Sequence, residues 1–184
     1  MAAPDHLYFT DDEEACALIA TDPFAFLVGF ALDQQITVQQ AFLGPLRIKQ
    51  RVGTLDPKTL AQTDLEPVFK EKPAVHRFPG SMARRVQDLA AYVVEEYDGD
   101  AARIWTEARD GADLRARLAG LPGFGDMKVR SVAAVLARRF GVAAAHEIAP
   151  EHRTLGDVDS PQALQDYQAA KRAYKAEQRA KAGR

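Results

Sequence analysis

The residues with most chemical content lie in LPGFGDMKVRSVAAVLARRFG, Leu121 to Gly141. Pro122 fixes φ, while Gly123 and Gly125 admit positive φ and leave the backbone bare. The segment that follows is apolar along one stripe, at Val129, Val132, Ala133, Leu136 and Phe140, and carries Lys128 and Arg130 near its start. The first turn of such a helix presents unpaired N–H groups and the positive end of its dipole, which together make an anion site. A nucleic-acid phosphate suits it, held by its backbone and not by its base. The plainer alternative is a glycine turn joining two packed helices, the first packing through Leu114 and Leu118.

Helices must hold that turn from both sides, and the chain supplies little else. Thr10 to Glu13 predicts a capping box before a short helix ending near Ala20. Asp22-Pro23 predicts a cap and a proline at the first helical position. The run Phe24 to Leu32 is nearly all apolar and too short to span a membrane, so it reads as the central buried helix. Thr37 to Gln40 opens a helix through Phe42, and Asp56-Pro57 and Thr63 to Glu66 start two short ones. Ser81 is expected to cap a long helix with its stripe at Val86, Leu89, Ala90, Val93, Val94 and Tyr97. Asp100 opens a helix carrying Trp105, and Gly111 to Leu118 holds another. Residues Ala143 to Gly156 read as a loop. Pro161 starts a last helix through Leu164, Tyr167 and Tyr174, running into a basic tail expected to fray. With no alternating strand pattern and no repeat, the fold class is all-α.

Composition narrows the function. The 184 residues are 47% hydrophobic, enough for one domain or two small lobes sharing a core. A net charge of -2 excludes a polycation, so any nucleic-acid role must rest on a local basic face. The single cysteine, Cys16, allows no internal disulfide and no four-cysteine iron–sulfur or zinc site. No run of 18 apolar residues occurs, and the acidic start (Asp11, Asp12, Glu13, Glu14) does not read as a signal peptide, so a cytoplasmic location without a membrane partner is expected. His146, Glu147, Glu151 and His152 gather titratable groups, but not at a zinc spacing. His76-Arg77-Phe78-Pro79-Gly80-Ser81 puts an aromatic ring and two cation-forming side chains at a helix start. It suits a pocket lining or a phosphate contact, or else a packed inter-helix turn.

Leu114, Leu118, Gly120, Leu121, Pro122, Gly123, Phe124 and Gly125, followed by a basic amphipathic helix, resemble the helix–hairpin–helix of the base-excision DNA glycosylases, the superfamily of endonuclease III and the adenine glycosylases. The upstream run FLVGFALDQQ, Phe26 to Gln35, looks like that family's buried helix ending in a glutamine-rich turn. The resemblance covers roughly Pro23 to Ala145 and implies two helical lobes with a cleft between them. The hairpin lobe would span roughly 36–141. The N-terminal helices and a C-terminal helix at 161–178 would form the other. It further implies a monomer that binds double-stranded DNA through Leu121, Gly123, Gly125, Lys128 and Arg130. Gln34 or Gln35 would enter the duplex where a base is flipped out. The carbonyls of Ala119, Leu121 and Phe124 would hold a monovalent cation, and there would be no iron–sulfur cluster.

Two family positions are filled differently. The lysine of strand-cleaving members falls at Met127; Lys128 is one residue on, about 100° around a helix. The resemblance therefore implies a monofunctional enzyme. The family's catalytic aspartate falls at Ala145, about twenty residues past the second glycine. A carboxylate is needed because breaking an N-glycosidic bond builds positive charge on the sugar. Glu147 and Asp157 are the candidate acids. The expected function is a DNA repair glycosylase that hydrolytically removes a damaged or mismatched base. Two alternatives are a non-catalytic DNA-binding module of the same fold and a helical interaction protein in which LPGFG is only a turn.

Overall fold

The computed structural model describes residues 3–183, and among them every regular element is a helix. The first is α1, Glu13–Thr21, capped by Asp12, whose carboxylate accepts from the Ala15 N–H at 2.9 Å. Asp22 ends α1 and caps α2, Pro23–Leu32, accepting from Phe24 and Ala25 N–H. α1 and α2 are bent 114° at this junction, and no single helix is long and apolar enough to cross a membrane among the described residues.

Every residue of α2 after Pro23 is buried, as its unbroken apolar run requires. It packs on α1, on α3 (Val38–Val52) and on α6 (Pro79–Tyr97). A Cβ on Gly29 would collide with the Phe42 ring, so glycine sets the close approach of α2 to α3. Aromatic edges extend the contact. Phe30 meets Phe42 at 5.1 Å between ring centroids. Phe26 meets Trp105 of α7 (Arg103–Thr106) at 6.0 Å and Phe140 at 5.5 Å. α2 is thus the axle between the N-terminal helices and the segment that carries the hairpin. Its burial, about 1.5–3 kcal/mol per large apolar side chain, fixes where its C-terminus points.

Between α3 and α6 lie α4 (Pro57–Gln62) and α5 (Glu66–Lys70), both packed on α6. After α7 come α8 (Gly111–Ala119), the glycine turn and α9 (Asp126–Arg138). A short α10 (Ala143–His146) and a 3-10 turn at Leu155–Asp157 follow, both packed on α9, in the stretch expected to be a loop. The last element, α11, runs Pro161–Ala182 and buries only Leu164. It is tied to the body by Tyr167 and by a side-chain hydrogen bond between Gln39 and Gln168 at 2.9 Å. The tail expected to fray is helical through Ala182. One contiguous core takes in residues from Leu7 to Leu164.

Some caps fall elsewhere than the sequence suggested. Thr63 does not start α5; its hydroxyl donates to the Thr59 carbonyl and it ends α4. α6 begins at Pro79, two residues before Ser81, because proline's fixed φ already suits a first helical turn. α3 continues past Phe42 to Val52 with Pro45 inside it.

Candidate nucleic-acid interface and reaction site

The glycine turn is a tight connection between α8 and α9. Gly123 has φ +79, a region that L side chains avoid. Gly125 was expected to need the same freedom but does not: its φ is -78 with extended ψ, and open space surrounds the Cβ position. It is the N-cap of α9, and no side chain caps that helix. The first N–H groups of α9 therefore face outward past a residue with no side chain. Asp126, next in line, is ion-paired with Arg115. Leu121 and Phe124 are buried, and the Leu121 carbonyl accepts the Phe124 N–H at 3.1 Å. Arg130 is exposed.

The end of α2 reaches the same place. The last carbonyls of a helix have no partner within it, and here long-range side chains supply them. His76 is buried; its Nε2 lies 3.1 Å from the Leu32 carbonyl and 3.0 Å from that of Gln34, while its Nδ1 accepts the Phe78 N–H at 3.0 Å. Those roles place the proton on Nε2, and burial holds the imidazole pKa below its ordinary value. Lys128 Nζ donates a long hydrogen bond, 3.4 Å, to the Ala31 carbonyl and sits 5.5 Å from the centre of the Phe124 ring. Arg85 of α6 joins the two motifs. Its Nη1 donates to Gln34 Oε1 at 2.8 Å, and its guanidinium lies across Gly123, where a Cβ would come within 2.9 Å of Nε. Gln35 is exposed and holds φ +58.

The side chains expected from sequence therefore part company. Gln34, Gln35, Gly123, Gly125 and Lys128 are brought together. Lys128 points inward, whereas Met127, where the resemblance would place a lysine, is 85% exposed. Glu147 is placed elsewhere: its Oε2 accepts the Gly111 N–H at 2.9 Å, at the far end of α8 from the hairpin. Nine residues of helix, about 13 Å, separate the two ends. Asp157 caps the 3-10 turn, accepting the Thr154 N–H at 2.7 Å, and pairs with Arg138 at 2.6 Å. Arg138 ends α9, about 18 Å of helix from the hairpin.

The carboxyl that does stand at the hairpin is Asp33, the residue after α2. Burial raises its pKa, and the nearby charges of Lys171, Lys128 and Lys175 oppose that rise. Burial likewise depresses Lys128, to about 8, with Asp33 pulling it up and Arg85 pushing it down. Tyr167 of α11 lies within reach of the Asp33 charge; its hydroxyl pKa is raised by burial and then by Asp33. A desolvated amine, a desolvated carboxyl and a helix N-terminus thus converge. Comparison with protein-family models, with curated proteins and with solved structures finds no match.

Other concavities lie apart from this group. One of about 340 Å³ is lined by Asp22, Lys49, Asp56 and Asp100, and one of about 310 Å³ by His6, Tyr8, Glu13 and Cys16. No three His, Cys, Asp or Glu side chains are placed to hold a metal ion among the described residues. Asp33 and Arg85 were invisible as site residues in the sequence. The available signal was a lone aspartate ending an otherwise apolar buried helix, beside two glutamines.

Proposed function

We propose that the protein binds double-stranded DNA at the α8–α9 turn and breaks the N-glycosidic bond of a damaged or mismatched base, with Lys128 and Asp33 as the reacting groups. One observation carries the reading: a half-buried amine and a half-buried carboxyl, each shifted toward neutrality, beside an uncapped helix N-terminus. Phosphate binding alone does not call for desolvated groups of opposite charge, whereas nucleophilic catalysis does.

In this reading a backbone phosphate takes the N–H groups of α9 past Gly125, with Arg130 beside it. The Gln34–Gln35 turn enters the space left by the extruded base and offsets part of the few kcal/mol that flipping costs. The neutral Lys128 amine attacks C1′ of the sugar. Its lone pair forms the new C–N bond as the bond to the base breaks, and the base departs with that electron pair and takes up a proton. The Asp33 carboxylate balances the positive charge on the sugar and receives the proton shed by the amine. It returns that proton to O4′ as the C1′–O4′ bond breaks, and the nitrogen lone pair forms the Schiff base that borohydride reduces. Expectation of a purely hydrolytic enzyme rested on Met127; the inward turn of Lys128 favours an amine step instead. A monovalent cation on the carbonyls of Ala119, Leu121 and Phe124 would brace the turn; the Leu121 carbonyl keeps one lone pair for it.

The test is a panel of duplexes carrying different damaged or mismatched bases, assayed for base release with and without borohydride. A trapped protein–DNA adduct that disappears in Lys128→Ala supports the proposal. Base release with no adduct in any duplex assigns the chemistry to water oriented by Asp33. Salt-sensitive duplex binding with no base release makes the protein a DNA-binding module, and no duplex binding removes the reading altogether.

A further inference from the structure

α11 leaves the body of the protein after Tyr167 and Gln168; every residue from Ala169 to Gly183 is exposed. Fourteen of these residues, through Ala182, are a solvated helix about 21 Å long, and packing does not explain them. Their charge is lopsided. Residues 171–184 carry six basic side chains against the single acid Glu177, a surplus of five. The total of 24 basic and 26 acidic residues leaves the other 170 with 18 basic against 25 acidic, a deficit of seven. A body of that sign repels DNA except where local cations prevail.

The arm is also oriented. Tyr167 is half-buried against the core and lies within reach of the Asp33 charge, and positions four, seven and eight residues on, Lys171, Tyr174 and Lys175, lie over the same helical face. Lys171 Nζ stands 5.7 Å from the Tyr167 ring centre. Arg172 and Arg179 flank that face, and Lys181 lies on it one turn beyond Glu177, its partner at 2.6 Å. The basic face therefore begins at the rim of the reaction site and runs outward from it. Apart from Tyr174, 62% exposed, the arm's apolar residues are alanines, so it lacks the broad apolar face that seats a helix in a lipid surface.

We propose that the basic half of α11 is a second DNA contact, laid along the phosphate backbone of the duplex whose lesion site is held at the hairpin. This rests on the duplex-binding reading above. The hairpin supplies a point contact; the arm supplies a charged track beside it and the greater part of the salt dependence.

The test measures affinity of the full chain for a 24-base-pair duplex between 50 and 300 mM salt, in wild type and in a variant with Lys171, Arg172, Lys175, Arg179 and Lys181 all changed to Gln. Glutamine keeps helix propensity, and circular dichroism checks that the fold stands. Each lost phosphate contact lowers the slope of log K against log salt by about 0.9, so a fall of roughly 3–4.5 is expected, with at least about a tenfold loss of affinity near 100 mM. An unchanged slope in a variant that still binds overturns the arm while leaving the hairpin reading intact. So does an equal fall on neutralising Lys49, Lys58 and Lys70, which lie on α3, α4 and α5. So does loss of binding to phosphatidylserine vesicles alone, with the DNA slope unmoved. Absence of salt-dependent duplex binding in the wild type overturns both proposals together.

Discussion

Gln35 holds a left-handed backbone conformation, φ +58, that costs a non-glycine residue about 1–2 kcal/mol. Strain of this kind persists where the side chain is wanted. Gln35→Gly is therefore expected to raise stability by about 1 kcal/mol in denaturant unfolding while weakening binding to lesion-bearing duplex. A variant that is more stable and binds undiminished assigns the strain to the turn and not to DNA. Lys128 makes a parallel case. Its pKa of about 8, against 10.5 in the unfolded chain, means that the folded state binds fewer protons between those values. Stability on its account falls as pH drops from about 10.5 to about 8 and stays reduced below, so at neutral pH the residue is a burden. Lys128→Met should raise stability by on the order of 1–3 kcal/mol and abolish borohydride-trapped adduct. A lysine serving only as a partner for the Ala31 carbonyl gives the opposite sign, a loss of stability. Adduct formation should rise about tenfold per pH unit up to about pH 8 and then level, following the neutral amine. In Asp33→Asn the inflection should move to lower pH, because the charge that holds the proton on Lys128 is gone.

The hairpin separates two effects of its glycines at the level of the element. Gly123 is needed for its positive φ and for room under Arg85, so its replacement damages the turn itself. Gly125 needs neither, and a side chain there meets only open space. Gly125→Asp supplies α9 with the cap it lacks, which favours the fold by a few tenths of a kcal/mol. It also puts a carboxylate where a phosphate is proposed to sit. Unchanged or higher melting temperature with a tenfold or greater loss of duplex affinity is expected; retained affinity places the phosphate elsewhere. The same local logic explains which elements were readable in the sequence. Asp22, Thr37 and Asp56 cap the helices they were expected to cap, since a cap bonds an N–H two or three residues away. Thr63 and Ser81 misled because prolines 67 and 79 set those helix starts instead. Asp33 could not be recognised, because its environment comes from Lys128, Tyr167 and Lys171, about a hundred residues or more further along the chain. Glu147 lies nearest in sequence to the family position and Asp157 carries the family's side chain, but intervening helical turns carry both to the far ends of α8 and α9.

At the scale of the whole molecule, the question is whether the hairpin and the Gln34–Gln35 turn belong to one cooperative unit or to lobes that fold apart. Site geometry depends on the answer, because Asp33 is carried by α2 and Lys128 by α9. The aromatic contacts favour one unit. Phe26, in the middle of α2, touches both Trp105 and Phe140, which flank the α8–α9 hairpin in sequence, and the core is continuous through it. Trp105 is the only tryptophan, so its fluorescence reports this junction alone while far-ultraviolet circular dichroism reports all the helices. The two probes should give a single coincident unfolding transition. Phe26→Ala should shift both together, by about 3–5 kcal/mol, because the void left between α2, Trp105 and Phe140 is shared by the two sides of the site. Separate transitions, or a variant that moves the tryptophan signal and leaves half of the helical signal in place, would show two lobes with independent cores. Asp33 and Lys128 would then be held together only by the Lys128–Ala31 contact and the Arg85 bridge, too little to keep a half-buried amine and a half-buried carboxyl in register.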